Sequence, residues 1–319
     1  EDSIPPNADE ELYALSPEFR KRSLFVRNST GMSAWVDTEC TYFEYADAFF
    51  IDLLEEVRGA KRFIFIEYFI IGEGHWWSLI LSELEKKVQE GVDVRVIYDD
   101  MGSISSLPKH YDRKLRAKGI KTVVFNRVRF HFNPRLNFRD HRKIFDIDGN
   151  ICYTGGLNLS DEYSNDVIRF GYWKDNAVKI KGSAVMNFTF LFLEMWMGVA
   201  GGHDDLSQYL PTEKGRSEGF VQPFGDNPLD SDTTTENVYL KMISMAERNI
   251  WITTPYLIPD DSMIEALSIA ARSGVDVRII TPHYPDKKSV FEVSRSNYLQ
   301  LLEAGVRIYE YIPGFIHSK

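Results

Sequence analysis

Two stretches of this 319-residue chain are near copies of each other. Gly91-Val-Asp-Val-Arg95 recurs as Gly274-Val-Asp-Val-Arg278, each time where a helical pattern gives way to an apolar strand. Residues 60–69 and 246–256 both pass from a charged helix end into an apolar run, and Leu115-Arg-Ala-Lys-Gly119-Ile120 is echoed by Leu302-Glu-Ala-Gly-Val306. A duplication of this kind gives two similar lobes rather than one irregular core. Within the first copy strands alternate with helices, which calls for an α/β sandwich around a largely buried sheet. A chain of this length can bury one large core or two ordinary ones.

The local pattern fills in the lobes. Residues 41–57 carry Phe43, Ala46, Phe49, Phe50, Leu53 and Leu54 at helical spacing and predict an amphipathic helix. Residues 62–71 are nearly all apolar, as in a strand covered on both faces. A helix over 76–89 is stopped by Gly91, a strand over 92–98 ends in Asp99-Asp100, and a helix near 109–118 precedes a strand over 121–125. Residues 188–200 are apolar but short and broken by Glu194, which suits a buried core helix better than a membrane span. Residues 1–17, acidic and with Pro5-Pro6, are expected to be mobile or loosely packed. The Gly/Asp/Pro/Ser-rich stretch 201–232 then acts as a linker or surface excursion between a first lobe over 1–200 and a second over 233–319.

Chemistry concentrates in residues 140–158. Two β-rich runs, 143–147 and 151–154, flank Asp148-Gly149-Asn150, a hairpin-turn signal. His141 and Lys143 are two apart and share a strand face. A histidine can attack or protonate, and a lysine beside it can hold an anion. Asp148 is at an odd offset from His141, so a regular strand turns it to the opposite face, as a turn and support residue. Gly155-Gly156 permits close backbone approach and Asn158 supplies an amide donor. The second copy ends in Gly314-Phe-Ile-His317-Ser-Lys319, another His-x-Lys after an apolar run. No His-Glu-x-x-His or paired Cys-x-x-Cys spacing is present, so no metal or other cofactor is expected, and Asp99-Asp100 reads as a solvated strand end or helix cap rather than a magnesium site. The formal charge of −10 argues against a nucleic-acid partner. Cys40 and Cys152 read as free thiols.

His-x-Lys, four residues, Asp, six residues and Gly-Gly-x-Asn, together over residues 141–158, resemble the signature of the phospholipase D superfamily. The resemblance implies two α/β/α lobes related by a pseudo-twofold axis, with both His-x-Lys motifs lining one active site. It implies catalytic roles for His141, Lys143, Asp148, His317 and Lys319, and a two-step exchange through a phosphohistidine. His141 as nucleophile and His317 as acid–base is the commoner family assignment; the sequence itself does not choose between them. The family also places a histidine-orienting carboxylate downstream, which nominates Asp175 as partner of His141. Gly155, Gly156, Asn158 and Arg139 are the expected substrate-binding residues.

Glu67-Tyr-Phe-Ile-Ile71, Asp140-His-Arg-Lys-Ile, Thr154-Gly-Gly-Leu-Asn-Leu-Ser-Asp-Glu-Tyr163, Trp173-Lys-Asp and Thr254-Pro-Tyr-Leu-Ile-Pro-Asp260 narrow the resemblance to bacterial cardiolipin synthases. That family transfers a phosphatidyl group between two phosphatidylglycerol molecules and releases glycerol. The implied partners are phosphatidylglycerol and other anionic lipids. The implied place is the bacterial cell membrane, with the catalytic region peripheral to the bilayer and anchoring helices preceding Glu1. Arg127, Arg129, His131, Arg135 and Arg139, interleaved with Val128, Phe130, Phe132 and Leu136, suit an anionic headgroup bearing acyl chains. A hydrolase of the same superfamily, phospholipase or nuclease, would use the same residues, and a silent lipid-binding scaffold is a third reading. The second motif reaches Lys319 without its Asp, glycines and Asn, so the second lobe is expected to be incomplete and the natural protein to continue.

Overall fold

The computed structural model describes residues 6–128, 138–216, 219–226 and 233–319. The chain divides into two compact units, one of Glu1–Asp161 with Ala177–Asp232 and one of Glu162–Asn176 with Thr233–Lys319.

In the first unit α1 (Asp9–Leu15) and α2 (Pro17–Thr30) lead into β1 (Thr38–Phe43), α3 (Ala46–Gly59), β2 (Phe63–Tyr68), α4 (His75–Gln89) and β3 (Asp93–Asp99). The one-turn α5 (Asp100–Ser103), α6 (Tyr111–Ala117), β4 (Lys121–Phe125), β5 (Lys143–Ile147), β6 (Ile151–Gly155), β7 (Ala177–Gly182) and α7 (Val185–Ala200) follow. The seven strands form one mixed sheet in the order β1-β7-β6-β5-β2-β3-β4, parallel from β2 to β4 and antiparallel elsewhere. β2 is buried at every residue, as its apolar run requires. On one face Phe63, Phe65, Ile97 and Phe125 pack against Phe192, Leu193 and Met195 of α7. On the other, Tyr153 of β6 meets Phe49 of α3 edge-on, and Phe50 stacks on Trp76 of α4. Each large apolar side chain buried this way contributes about 1.5–3 kcal/mol.

Three segments differ from expectation. Residues 38–43 are an edge strand paired with β7, and the helix begins only at Ala46. The apolar spacing from Phe43 to Ala46 misleads there, because Phe43 belongs to the strand and packs on Phe49 of the helix. The acidic N-terminal stretch is docked from Asn7 onward. Asp9 is buried, accepts a hydrogen bond from the Ala34 amide at 2.8 Å and pairs with Arg27 at 3.1 Å. Residues 201–226 lie against the first sheet where described. Arg95 grips Asp204 in a fork at 2.8 and 2.9 Å, the Asn150 side-chain oxygen accepts the Thr212 and Glu213 N–H groups, and Trp35 exchanges backbone bonds with Val221.

The second unit holds α8 (Thr234–Ser244), β8 (Asn249–Thr253), α9 (Asp261–Arg272), β9 (Asp276–Pro282), α10 (Lys288–Ser296), α11 (Tyr298–Glu303) and β10 (Arg307–Tyr311). Its sheet runs β10-β9-β8, all parallel, and repeats the order and direction of β4-β3-β2. Val277, Ile279, Leu267 and Leu301 form the core on the helical face, while Trp251 and Tyr309 on the other face are exposed. The repeated pentapeptide takes the same backbone in both copies: Gly91 has φ 90° and Gly274 φ 92°, a left-handed turn into the strand that a side chain disfavours.

Candidate active site

β5 and its approach carry the first His-x-Lys. His141 lies just before the strand and is exposed, while Lys143 is buried at the strand's first residue. The Lys143 ammonium folds back to donate to the His141 carbonyl at 2.7 Å and lies 3.2 Å from imidazole Nδ1. An ammonium only donates, so it can serve Nδ1 only while that nitrogen carries no proton. Phe69, one residue past β2, lies 4.7 Å from the imidazole ring and also faces the Lys143 ammonium. Sequence reasoning did not single out Phe69; its place at the end of the buried strand was the signal.

Asp148 sits at the far end of β5, in the hairpin turn, with φ 58°. Its carboxylate accepts the backbone N–H groups of Lys61, Arg62 and Phe63 at 2.9, 2.7 and 3.0 Å, fastening the hairpin to the start of β2. That is the support role its odd offset implies. Truncation leaves three amides without their acceptor, so Asp148→Ala is expected to cost about 2–3 kcal/mol in urea unfolding. The fraction of active enzyme should fall with the fraction folded. A stable Asp148→Ala protein without activity would instead place the carboxylate in the chemistry.

Gly155 closes β6 at φ 145° and Asn158 is buried. The Asn158 side-chain oxygen accepts the Ile70 N–H at 3.1 Å, which leaves its amide nitrogen as the donor end. Arg139 does not stand alone as a headgroup ligand. Its guanidinium donates to Asp99 at 3.1 Å and to the Asn126 carbonyl at 3.1 Å. Asp99 is a helix cap, as expected, but it is fully buried rather than solvated. It accepts the Met101 and Gly102 amides of α5 and the Asp140 amide, and so braces the approach to the motif. Of the proposed basic and apolar headgroup stripe, Arg129, Phe130, His131, Phe132, Arg135 and Leu136 lie outside the described residues. Arg127 is paired with Asp112 at 2.6 Å.

The second motif is built within the second unit. Residues 171–174 run beside 313–317, with Tyr172 N–H to the Pro313 carbonyl at 3.0 Å, Lys174 N–H to Phe315 at 2.9 Å and His317 N–H to Lys174 at 2.8 Å. This pairing delivers Asp175 to His317, whose Nδ1 lies 2.6 Å from a carboxylate oxygen of the fully buried aspartate. The expected partner was His141; the carboxylate instead serves the histidine of the other motif, because residues 162–176 leave the first sheet and pair with the last strand-like segment. Nδ1–H donates to Asp175, so Nε2 is the ring's acceptor or proton-delivering atom. Tyr163, Trp173 and Phe315 surround the imidazole, at 5.6, 5.6 and 6.1 Å between ring centres. Lys319 repeats the Lys143 arrangement, donating to the His317 carbonyl at 3.0 Å with its ammonium 3.3 Å from the ring nitrogens. Desolvation lowers the Lys319 pKa and Asp175 opposes that shift.

Glycine at 314 makes this pairing possible. A Cβ there would stand 2.3 Å from the backbone nitrogen and oxygen of Tyr172. Gly314→Ala is therefore expected to push the two segments apart and cost about 1–3 kcal/mol, with activity falling further than stability because the Asp175–His317 bond is lost. Kinetics and thermal unfolding of the variant check this; unchanged kcat would show that the pairing does not place His317.

Each histidine thus has a lysine two residues on that returns to it, and one has a buried carboxylate. A neutral histidine can attack phosphorus, a protonated one can give a proton to a departing alkoxide, and an ammonium beside either can stabilise phosphoryl oxygens. Among the described residues no cluster of His, Cys, Asp or Glu is placed to hold a metal ion. No helix among them is long and apolar enough to cross a membrane.

Comparison with known proteins bears on this chemistry. Residues 53–195 and 239–319 match the family described as cardiolipin synthase, PLD-like domain. An uncharacterized protein of Streptococcus mutans serotype c is 44% identical over 297 residues, covering 92% of this chain and 64% of that protein. Cardiolipin synthase 2 of Bacillus anthracis is 40% identical over 285 residues, covering 88% of this chain and 55% of that protein. The chain thus spans less than two thirds of these relatives' length. The crystal structure of a phosphatidylserine synthase from Haemophilus influenzae Rd KW20 shares the fold, with TM-score 0.62 at 14% identity, over 93% of this chain and 79% of that one.

Proposed function

The chain belongs to the cardiolipin synthase PLD-like domain family of the phospholipase D superfamily, and we propose that it transfers a phosphatidyl group from one phosphatidylglycerol to another with release of glycerol. The observation that carries this reading is the pair of like-built His-x-Lys units, one of them holding Asp175 against its histidine at 2.6 Å. In the first step His141 attacks phosphorus, the bond from phosphorus to the glycerol oxygen breaks, and the glycerol leaves with a proton from Nε2 of His317. In the second the hydroxyl of another phosphatidylglycerol gives its proton back to His317 and attacks phosphorus, and the bond to His141 breaks. Asp175 stabilises His317 while it is charged, as a carboxylate on the far nitrogen does for any acid–base imidazole. Lys143, Lys319 and the Asn158 amide offset charge on the phosphoryl oxygens, the work a metal does elsewhere. No cofactor takes part. The partners are phosphatidylglycerol and anionic membrane lipids, and the enzyme works at the bacterial cell membrane.

Water and an alcohol compete for the same intermediate, so a phospholipase or nuclease is the rival reading. Acyl-labelled phosphatidylglycerol in membranes, given to the full-length protein, separates them. The proposal expects labelled cardiolipin with one free glycerol for each. Phosphatidic acid as sole product would make it a phospholipase, and cleavage of DNA alone would make it a nuclease.

A further inference from the structure

Under the turn that presents His141, on the α7 side of the sheet, two buried carboxyl groups are neighbours. Glu67 of β2 is 0% exposed and Asp140 is 1% exposed. Asp140 Oδ1 accepts the Arg142 N–H at 3.1 Å, a bond that spans His141 and sets the turn. Asp140 Oδ2 and both oxygens of Glu67 receive no bond from any N–H or hydroxyl among the described residues. Arg142 faces Glu67 as an ion pair too long for a hydrogen bond. Its guanidinium donates to the carbonyls of Asp226 and Leu191 and stays 3.6 Å from Glu67. Two buried carboxylates with three such oxygens would carry a large desolvation cost, and one proton placed between them removes most of it.

We propose that Glu67 is a neutral acid whose O–H donates to Asp140 Oδ2, and that this bond is a positioning device for His141. The role rests on the reading of His141 as nucleophile. Burial, and then the neighbouring Asp140, push the Glu67 carboxyl well above the usual range, against the opposing pull of Arg142. The other ionisable groups near the pair are Asp99, facing Asp140, and Cys152 of β6, facing Glu67. From α7 come apolar side chains such as Leu191, the Leu191 carbonyl that Arg142 reaches, and the Thr189 hydroxyl, which is bonded to Asp146. Ionising Glu67 would set two buried negative charges against each other and strain the Asp140 turn. His141 would lose its orientation while keeping its own chemistry.

The test compares wild type with Glu67→Gln and Glu67→Leu in the full-length protein. Glutamine keeps a donor at the same place and has no proton to lose. At pH 7 Glu67→Gln should retain kcat within about threefold, whereas Glu67→Leu should lower kcat on the order of 10- to 100-fold with KM little changed, the scale of a misplaced reacting group. Towards alkaline pH the wild type should lose activity as Glu67 ionises, and Glu67→Gln should not. Stability gives a readout independent of catalysis. A carboxyl raised by folding contributes most below its ordinary value, and the contribution is lost as pH rises towards the raised one. Wild-type stability should therefore fall with pH more steeply than that of Glu67→Gln. Asp146, bonded to Thr189 and pushed up to about 7 by burial, titrates in both proteins and cancels in the difference. Equal stability slopes in wild type and Glu67→Gln would overturn the shared proton. Equal kcat losses and pH profiles in the glutamine and leucine variants would overturn the positioning role. If His141→Ala keeps turnover, the nucleophile reading fails, and the slope difference still reports on the proton.

Discussion

His141→Ala is expected to abolish phosphatidyl transfer, with kcat reduced by at least about 10³-fold, as for loss of a nucleophile from a covalent mechanism. The protein should still fold. His141 is exposed, and substitutions at such sites shift stability within about 0.5 kcal/mol. The sheet beneath it is held by β2 and β6, and Asp148 and Asp99 brace the two ends of the segment. Phosphatidylglycerol turnover and urea unfolding, measured on one preparation, read both halves of this expectation. A folded variant that turns over within tenfold of wild type would show that His141 is a surface residue after all.

The second large effect falls on Asp175. Asp175→Asn removes the charge that stabilises protonated His317 but leaves an oxygen that can still accept from Nδ1–H. Steady turnover of phosphatidylglycerol should fall about 10²- to 10⁴-fold, the range for general acid–base assistance. The loss should depend on the leaving group. With a phosphatidyl nitrophenol, whose anion departs without a proton, the variant should still release a burst of nitrophenol equal to one per site before stalling. The attack by His141 does not need Asp175, whereas the later activation of the alcohol does. Loss of the burst together with turnover would mean that Asp175 supports the attacking histidine, as the family pattern first suggested.

Most of the fold is legible in the sequence because it is written in short-range pattern. Gly91 and Gly274 mark equivalent turns, the apolar run in β2 marks a strand covered on both sides, and Asp148-Gly149 marks the hairpin. The edge strand β1 is not legible, since Thr41 and Tyr42 are exposed and its pairing with β7 joins residues far apart in sequence. The site divides the same way. His141, Lys143, His317 and Lys319 announce themselves by spacing. Asp175 is nominated only by the family resemblance, and which histidine it serves depends on the pairing of residues 171–174 with 313–317. Arg139 reads as a ligand because it is basic and adjacent to the motif, and the sequence does not show that buried Asp99 holds its guanidinium. Glu67 is a single acid in an apolar strand, and nothing local tells that Asp140 lies behind it.

His141 is the residue proposed to take the phosphatidyl group. Phosphatidylglycerol labelled at phosphorus, mixed with the protein and quenched within milliseconds in alkali, preserves a phosphohistidine that acid would destroy. The label should be recovered on the peptide containing His141 and disappear when unlabelled phosphatidylglycerol is added before the quench. Label on the peptide containing His317 would reverse the two roles, and turnover with no labelled peptide at all would contradict a covalent mechanism.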